Sequence, residues 1–240
     1  MPKGAQYTLA QISNFIPVTA LLYDTWRERS LSLLTREDFG LNREFALMLD
    51  WLNVQPGEAF LDVGTSTGNY ARAVADKGAT VTAIDISKPM LQRAAQRSGD
   101  YEIHYEQANV EALPYADASF DGVVVGASLN EFHDTKRALH EMARVLKPNG
   151  KLFMMYLHES DTALGRISQT AFKLSGVRFP NRETIKNELQ ASSLERTRAE
   201  VRRAVALELF VKTERSHSTP PSPDRNLARA AGKPARDPLP

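Results

Sequence analysis

Residues 60–68 read FLDVGTSTG, an apolar run that ends in Asp62 and passes at once into a glycine-rich turn. From Asn69 onward the apolar residues recur with helical spacing, so the stretch predicts a strand, a tight loop and a helix in that order. Gly64 and Gly68 can adopt backbone angles that other residues avoid, and the absence of a Cβ lets a ligand approach the main chain. Such a loop presents backbone N–H groups at a helix N-terminus, which favours a nucleotide-like ligand.

A second predicted strand, residues 79–84, leads to Asp85, which follows Gly64 by 21 residues. An acidic side chain at about this distance is placed to accept hydrogen bonds from both ribose hydroxyls. The loop is not the dinucleotide fingerprint G-x-G-x-x-G, because Ser66 stands where a middle glycine often sits. An ordinary turn between a strand and a helix would also account for the glycines. The occurrence of strand, loop, helix and acid together in order favours the nucleotide-like ligand.

The composition is that of a globular protein and excludes several kinds of site. The 240 residues are 42% hydrophobic and 25% charged, which suits one domain with additional segments. A net charge of +1 does not indicate a strong electrostatic attraction to nucleic acid or to a membrane surface. The absence of cysteine excludes disulfides and thiol nucleophiles. No run approaches about 18 apolar residues and the start has no long apolar segment, so we expect a cytoplasmic protein with no signal peptide or membrane span.

The sequence also predicts helix starts and a buried strand. Ser87, Asp134 and Asn181 each precede a helix-forming segment and are predicted N-caps. The nearly continuous apolar run in residues 119–126 predicts a strand buried on both faces of a parallel sheet. Ligands of open α/β sheets bind beyond the C-terminal ends of strands, so we expect the loop over residues 127–134 to face a ligand.

Four stretches together resemble the successive motifs of class I S-adenosylmethionine-dependent methyltransferases. They are residues 62–68, AIDISKPML (83–91), ANVEALPYADASFD (108–121) and RVLKPNGKL (144–152). The chain is most similar to the ubiquinone/menaquinone-biosynthesis, or type 11, group. The resemblance implies a doubly wound α/β fold with a mostly parallel seven-stranded sheet and helices on both faces. It also implies S-adenosylmethionine as cofactor and methyl transfer to a small organic acceptor, such as a quinone precursor or another apolar ring compound.

The resemblance further implies which residues bind the cofactor. These are Tyr23 on an N-terminal lid; Asp62, Gly64, Thr65, Ser66 and Gly68 around the methionine moiety; Gly126 and Ala127 near the sulfonium; Asp85 at the ribose; and Ile86, Asn109 and Val110 at the adenine. An alternative for Tyr23, equally consistent with the sequence, is an exposed residue on a helix that packs against the domain. Asn109 stands where the family usually has an acidic residue; its amide oxygen can still accept a hydrogen bond, and a turn-forming role is the alternative.

Methyl transfer needs a catalytic base only if the acceptor has a proton to lose. His133, in the loop after the fourth strand, and His158, directly after the fifth, are candidates because an unperturbed imidazole titrates near neutral pH. Glu131 in the same loop is a similar candidate. His133, a loop histidine beside Asp134, is also accounted for as a solvated residue. Arg27 either belongs to a solvated face or binds a carboxylate. No set of histidines and carboxylates shows metal-ligand spacing on one element, so we expect no metal.

The predicted organisation is a helical lid over residues 1–40, a cofactor-binding methyltransferase domain over 41–214 and a disordered, proline-rich tail over 215–240. Two other functions stay open. One is a non-catalytic cofactor-binding module of the same fold that acts through partners. The other is an NAD-type oxidoreductase, which the missing G-x-G-x-x-G spacing disfavours. The expected partner is a small-molecule acceptor and not a nucleic acid.

Overall fold

The computed structural model describes residues 8, 11–12, 14–16, 19, 27, 29, 32, 34–35 and 37–214. Tyr23 of the predicted lid and the predicted tail over residues 215–240 lie outside the described residues. Among the helices in the described part of the chain, none has the length and hydrophobicity needed to cross a bilayer.

Helices and strands alternate through most of the described chain, as an α/β fold requires. In chain order they are α1 (Leu41–Leu52), β1 (Ala59–Val63), α2 (Asn69–Ala75), β2 (Thr80–Asp85), α3 (Lys88–Gln96), β3 (Ile103–Gln107), β4 (Phe120–Gly126), α4 (Thr135–Val145), β5 (Leu146–Leu157), α5 (Ala163–Leu174), α6 (Arg182–Ala191), β6 (Leu194–Arg202) and β7 (Val205–Lys212). Short 3-10 helices, Val110–Ala112 and Ser128–Glu131, follow β3 and β4.

The strands form one seven-stranded sheet in the order β3-β2-β1-β4-β5-β7-β6. Strands β3, β2, β1, β4 and β5 pair in parallel, whereas β7 is antiparallel to both β5 and β6. The predicted mostly parallel, seven-stranded sheet is therefore confirmed. Strand order reverses between β1 and β4, and the C-terminal ends of strands at such a reversal form the crevice in which open α/β sheets bind ligands.

Two hydrophobic cores cover the two faces of the sheet. Because successive side chains of a strand point to opposite faces, Val123 and Val125 pack in one core while Val124 packs in the other. The first core includes residues of α4 and α6, and the second includes residues of α1 and α2. Full burial of a side chain of this size contributes about 1.5–3 kcal/mol. The prediction that β4 is buried on both faces is confirmed.

The three predicted N-caps are also confirmed. Each side-chain oxygen accepts a hydrogen bond from a backbone N–H in the first turn, which satisfies a donor that the helix itself leaves without a partner. The bonds are Ser87 to Met90 at 3.3 Å, Asp134 to Arg137 at 3.0 Å, and Asn181 to Glu183 at 3.0 Å and Thr184 at 3.2 Å. These caps fix where α3, α4 and α6 begin, and α3 begins just beyond Asp85.

Candidate functional site

A cavity of about 550 Å³ lies beyond the C-terminal ends of β1, β2 and β4. Part of its wall comes from the glycine-rich loop and from Asp85. Another part is apolar and includes Phe132, Met155, Leu157, Phe172, Val177 and Phe179. A small pocket of about 30 Å³ lies beside it, and Arg27, Gly64 and Ser66 line both spaces. The end of the sheet that was predicted to face a ligand therefore borders a cavity, which has one polar side and one apolar side.

The glycine-rich loop takes left-handed backbone angles at three positions. Gly64, Ser66 and Gly68 have φ of 65°, 52° and 80°. Gly64 and Ser66 face the cavity, whereas Gly68 does not line either space. A Cβ on Gly68 would lie 3.0 Å from the Tyr105 hydroxyl and 3.1 Å from Ala94 Cβ, so this glycine allows close packing behind the loop. Ser66 adopts the conformation for which glycine is best suited, at the position where a middle glycine often sits.

Asp62 is buried and holds the loop in shape. Its Oδ2 accepts hydrogen bonds from Thr65 Oγ1 at 2.6 Å and from Ala71 N at 3.0 Å. Burial raises the pKa of Asp62 to about 7, and the two hydrogen bonds oppose that rise. Thr65 N in turn donates to the carbonyl of Ile84 in β2. Asp62 and Thr65 both line the small pocket, and their hydrogen bonds connect β1, the loop and α2.

Asp85 ends β2 and lines the main cavity. Its Oδ2 accepts a hydrogen bond from Ser66 N at 2.9 Å, and its Oδ1 accepts one from Ser87 N at 2.8 Å. Burial raises the pKa of this carboxyl to about 6, while these backbone hydrogen bonds lower it. A carboxylate has about four acceptor positions, more than these backbone bonds occupy, so Asp85 can still accept a hydrogen bond from a ligand.

The residues predicted to lie at an adenine ring meet in one wall of the main cavity. Ile86, Asn109 and Val110 all line it. Asn109 Oδ1 accepts a hydrogen bond from Glu111 N at 3.0 Å and caps the 3-10 helix that follows. The Asn109 side chain therefore has a turn-forming role in this structure, and its contact with an adenine ring stays a prediction.

The loop after β4 closes the cavity from the other side. Ala127 has a left-handed φ of 66°, lines the main cavity, and donates its N–H to the carbonyl of Met155 at 2.7 Å. Gly126 lines the small pocket, where a Cβ would lie 2.9 Å from the Tyr70 ring. The amide of buried Asn130 bonds both the N–H and the carbonyl of Leu157, at 2.9 and 2.7 Å, so this loop is anchored to the end of β5.

A buried ion pair lies beside the small pocket. Arg27 Nη2 donates to Glu44 Oε1 at 2.9 Å, and both side chains are buried. The hydroxyl of Tyr70 also donates to Glu44. No sequence pattern predicted that Glu44, an acidic residue in the first turn of α1, would be buried. For Arg27 the sequence allowed either a solvated face or contact with a carboxylate. In the structure Arg27 is buried and lines both spaces, which excludes the solvated face.

Neither histidine predicted as a catalytic base is presented to the cavity. His133 is exposed and is not among the described residues that line it. His158 is buried, with Nδ1 2.7 Å from the Glu159 carbonyl and Nε2 2.6 Å from the Arg203 carbonyl. Both ring nitrogens of His158 are thus directed at backbone carbonyls, and His158 is not among the described residues that line the cavity. The catalytic roles of His133 and His158 stay predictions that the geometry does not favour.

Glu131 is the carboxyl that the loop after β4 presents to the cavity. Asn14 Nδ2 donates to its Oε2 at 2.8 Å, and Gln11 Nε2 donates to its backbone carbonyl at 2.8 Å. Burial raises the pKa of Glu131 to about 7, and the charge of Asp85 adds to the rise. No sequence pattern indicated that Asn14 and Gln11 contact this loop. Within the described residues, no group of three or more histidine or acidic side chains is arranged to hold a metal ion.

Comparison with known proteins agrees with this geometry. Residues 61–154 match the family model of a methyltransferase domain. The demethylmenaquinone methyltransferase of Renibacterium salmoninarum is 41% identical over 106 residues, which are 44% of this chain and 44% of that protein. The ubiquinone/menaquinone biosynthesis C-methyltransferase UbiE of Vibrio parahaemolyticus is 36% identical over 115 residues, 45% of this chain and 44% of that protein. The chain thus spans less than half the length of these two curated relatives.

A solved structure extends the similarity to most of the fold. Phosphoethanolamine N-methyltransferase 2 of Haemonchus contortus, solved with S-adenosyl-L-methionine, superimposes with a TM-score of 0.66 at 20% identity. The superposition covers 81% of this chain and 46% of that chain. At this identity the similarity shows the fold alone. Residues 61–154 are thus similar to a methyltransferase domain, and the predicted resemblance to class I S-adenosylmethionine-dependent methyltransferases of the ubiquinone/menaquinone-biosynthesis group is confirmed.

Proposed function

We propose that the protein transfers a methyl group from S-adenosylmethionine to a small organic acceptor with an apolar ring. The observation that carries the proposal is that one cavity joins the glycine-rich loop and Asp85 to an apolar wall. One curated relative is named a demethylmenaquinone methyltransferase and the other a ubiquinone/menaquinone biosynthesis C-methyltransferase, which supports a quinone-like ring as the acceptor. A cytoplasmic location and an acceptor that is not a nucleic acid stay predictions.

The polar and apolar groups of the cavity fit the cofactor. Asp85 offers a carboxylate to a ribose diol, and Ile86 and Val110 offer apolar side chains to an adenine ring. Arg27 offers a guanidinium where the main cavity meets the small pocket, which suits the carboxylate of an amino-acid moiety. We include these residues, together with Gly64, Ser66, Asn109, Gly126 and Ala127 of the same two spaces, in the proposed cofactor site.

In the proposed reaction, the residues of the protein position the methyl donor and the acceptor and exclude water from them. When bound, the cofactor supplies an electrophilic methyl group on a sulfonium. The loop that Asp62 and Thr65 hold, and the loop that Asn130 anchors, fix two sides of the cavity relative to each other. Holding two reactants in line converts a bimolecular step into an effectively unimolecular one, which is a large source of rate enhancement. The apolar side chains around buried Phe132 line the region proposed for the acceptor, where they reduce its contact with water.

The test is calorimetric titration of the purified protein with S-adenosylhomocysteine and, separately, with NADH. We expect saturable binding of S-adenosylhomocysteine and none of NADH. Asp85→Asn keeps the shape of the side chain but removes its charge, and hydrogen bonds to a charged group are worth about 1.5–3 kcal/mol. Affinity should therefore fall on the order of 10- to 100-fold. Asp100→Asn, an exposed residue before β3, is the matched control and should bind like the wild type.

Other outcomes would favour the alternative functions. Binding of NADH without S-adenosylhomocysteine would indicate an oxidoreductase on a related sheet. Binding of S-adenosylhomocysteine, without its release from S-adenosylmethionine by any ring acceptor or cell extract, would indicate a cofactor-binding module. Equal affinity in Asp85→Asn and Asp100→Asn would remove Asp85 from the ribose site.

A further inference from the structure

Glu131 lies where the two sides of the cavity meet. Its 3-10 helix, Ser128–Glu131, packs against the glycine-rich loop, because Ser128 Oγ donates to the carbonyl of Val63 at 2.9 Å. The next residue, Phe132, belongs to the apolar wall. The Glu131 side chain thus stands between the region proposed for the cofactor and the region proposed for the acceptor.

The carboxyl of Glu131 is held in place and keeps one oxygen for a ligand. Asn14 Nδ2 donates to Oε2, and the carbonyl of Asn14 accepts a hydrogen bond from Ser87 Oγ. Two successive hydrogen bonds therefore connect Glu131 to the residue that caps α3. Within the described residues, no Lys or Arg forms an ion pair with Glu131, and Oε1 accepts no hydrogen bond. A carboxylate oxygen without a partner beside an apolar wall is suited to a proton donor on a bound ring.

The other ionisable side chains of the cavity have different partners. Arg27 is paired with Glu44, and Asp85 binds the backbone of Ser66 and Ser87. Glu111 Oε1 accepts hydrogen bonds from the backbone N–H groups of residues 133 and 134 at 2.8 and 2.9 Å. Together with Glu131 these are the charged groups among the described residues that line the main cavity.

We propose that Glu131 is the general base for the acceptor, a proposal that rests on the methyl-transfer function above. The acceptor is then a hydroxylated ring. Its O–H bond, or the ring C–H bond at the methylated carbon, breaks, and the proton goes to a carboxylate oxygen of Glu131. The electron pair left on the ring forms the bond to the methyl carbon, while the pair of the breaking carbon–sulfur bond stays on sulfur. The proton then leaves Glu131 for solvent.

The burial of Glu131 suits this role. Burial raises the pKa of its carboxyl to about 7, and a base is most effective when its pKa lies near the working pH. The reaction rate should therefore rise with pH up to about 7 and then level off, since only the carboxylate form accepts a proton. Position distinguishes Glu131 from His133, which is exposed, and from His158, whose ring nitrogens are directed at backbone carbonyls.

The test compares Glu131→Gln with Glu102→Gln, an exposed residue just before β3. The acceptor probe is 1,4-dihydroxynaphthalene, kept reduced under anaerobic conditions, and S-adenosylhomocysteine release is followed from pH 5.5 to 8.5. Glu131→Gln should lose on the order of 10²- to 10⁴-fold in rate, the usual contribution of a general base, and should lose the rise toward pH 7. Its thermal stability and its affinity for S-adenosylhomocysteine should match those of the control.

A second readout needs no turnover. Binding of 1,4-dihydroxynaphthalene to the protein saturated with S-adenosylhomocysteine should tighten as pH rises through 7 in the wild type and in Glu102→Gln, but not in Glu131→Gln. The same affinity and pH dependence in all three proteins would overturn the proposal for Glu131, as would a complete failure of the wild type to bind the probe. Failure of S-adenosylhomocysteine itself to bind would overturn the proposed methyl-transfer function instead.

Discussion

A Cβ placed on Gly64 would lie 2.4 Å from the Cβ of Ser128. The glycine-rich loop and the loop after β4 are thus in contact at a point where a side chain on residue 64 has no space. Ser128 Oγ also donates to the carbonyl of Val63. The contact sets the distance between the two sides of the cavity, so changes at either residue should affect both stability and ligand binding.

Gly64→Ala should destabilise the protein by about 2–4 kcal/mol, because overpacking costs about 1–3 kcal/mol and a left-handed alanine about 1 kcal/mol more. Urea unfolding measures this loss. Gly99→Ala is the control, since Gly99 has a similar φ of 59° and no atom within 4 Å of an added Cβ. It should lose only about 1 kcal/mol.

The Ser128 contact makes the Gly64 prediction specific. In the double variant Gly64→Ala with Ser128→Gly, the overlapping Cβ of residue 128 is gone, so part of the lost stability should return. A Gly64→Ala variant that is no less stable than Gly99→Ala would show that the two loops adjust freely. In that case the contact does not set the width of the cavity.

Replacing Ser66 by glycine should give a more stable protein than replacing it by alanine, which reverses the usual order. Its φ of 52° is left-handed, and alanine would keep that strain while glycine would not. The Ser66→Gly variant should exceed the Ser66→Ala variant by about 1 kcal/mol in unfolding free energy, measured by urea denaturation. Ser175, with φ of −81°, is the control position at which alanine should be the more stable. Alanine favoured at both positions would contradict the left-handed conformation of the loop.

Arg27 should be essential to stability although it stands outside the matched domain. Arg27→Met would leave Glu44, which is fully buried, with Tyr70 as its partner, and breaking a buried pair from one side costs about 3–5 kcal/mol. Chemical denaturation of Arg27→Met, and of Arg27→Met with Glu44→Gln, measures the effect. The double variant should recover most of the loss, because no unpaired charge remains buried. Arg29→Met, an exposed neighbour, should change stability by less than about 0.5 kcal/mol.

Stability without ligand should fall as pH rises from about 4 to about 7. Burial raises the pKa of Asp62 to about 7 and that of Asp85 to about 6, both above the ordinary value of 3.8. Over this range Asp62 and Asp85 therefore bind more protons in the folded protein than in the unfolded chain, so their contribution to the unfolding free energy decreases as pH rises. Below pH 4 both states are protonated at these residues, and the contribution no longer changes.

Urea unfolding at pH 5 and pH 8 checks this sign. The asparagine of the Asp62→Asn variant does not titrate, so the unfolding free energy of this variant should fall less between pH 5 and pH 8 than that of the wild type. The difference between the two losses should be on the order of a few kcal/mol, since one unit of pKa corresponds to about 1.4 kcal/mol. Asp50→Asn, whose side chain is 75% exposed, should behave like the wild type. Equal slopes for the two variants would show that Asp62 is ionised in the folded protein throughout this range.

Much of the fold could be predicted from local patterns. The caps at Ser87, Asp134 and Asn181 bond to residues two or three positions away, and the alternation along β4 reflects the period of a strand. Asp62 and Asp85 could be singled out because strand, loop and acid recur at a fixed spacing. The mostly parallel, seven-stranded sheet was implied by the resemblance and is confirmed, whereas the order of its strands came from the structure.

The site chemistry could be predicted only in part, because polar partners in a cavity come from distant segments. Glu131 is bound by Asn14, 117 positions away, and Arg27 by Glu44. His133 and Glu131 are two residues apart and looked alike as candidate bases. The direction in which the loop turns after β4 exposes His133 and places the half-buried side chain of Glu131 at the cavity.

The sequence by itself determined the strand, loop and helix around Gly64 and the acid at Asp85 and, through the resemblance, indicated the proposed cofactor, because each depends on short-range geometry or on an ordered set of motifs. Tertiary structure alone decided which carboxyl faces the cavity with a free oxygen and which histidine has both nitrogens bound by carbonyls. It decided these points because burial and hydrogen bonding are set by segments that meet only when the sheet is assembled.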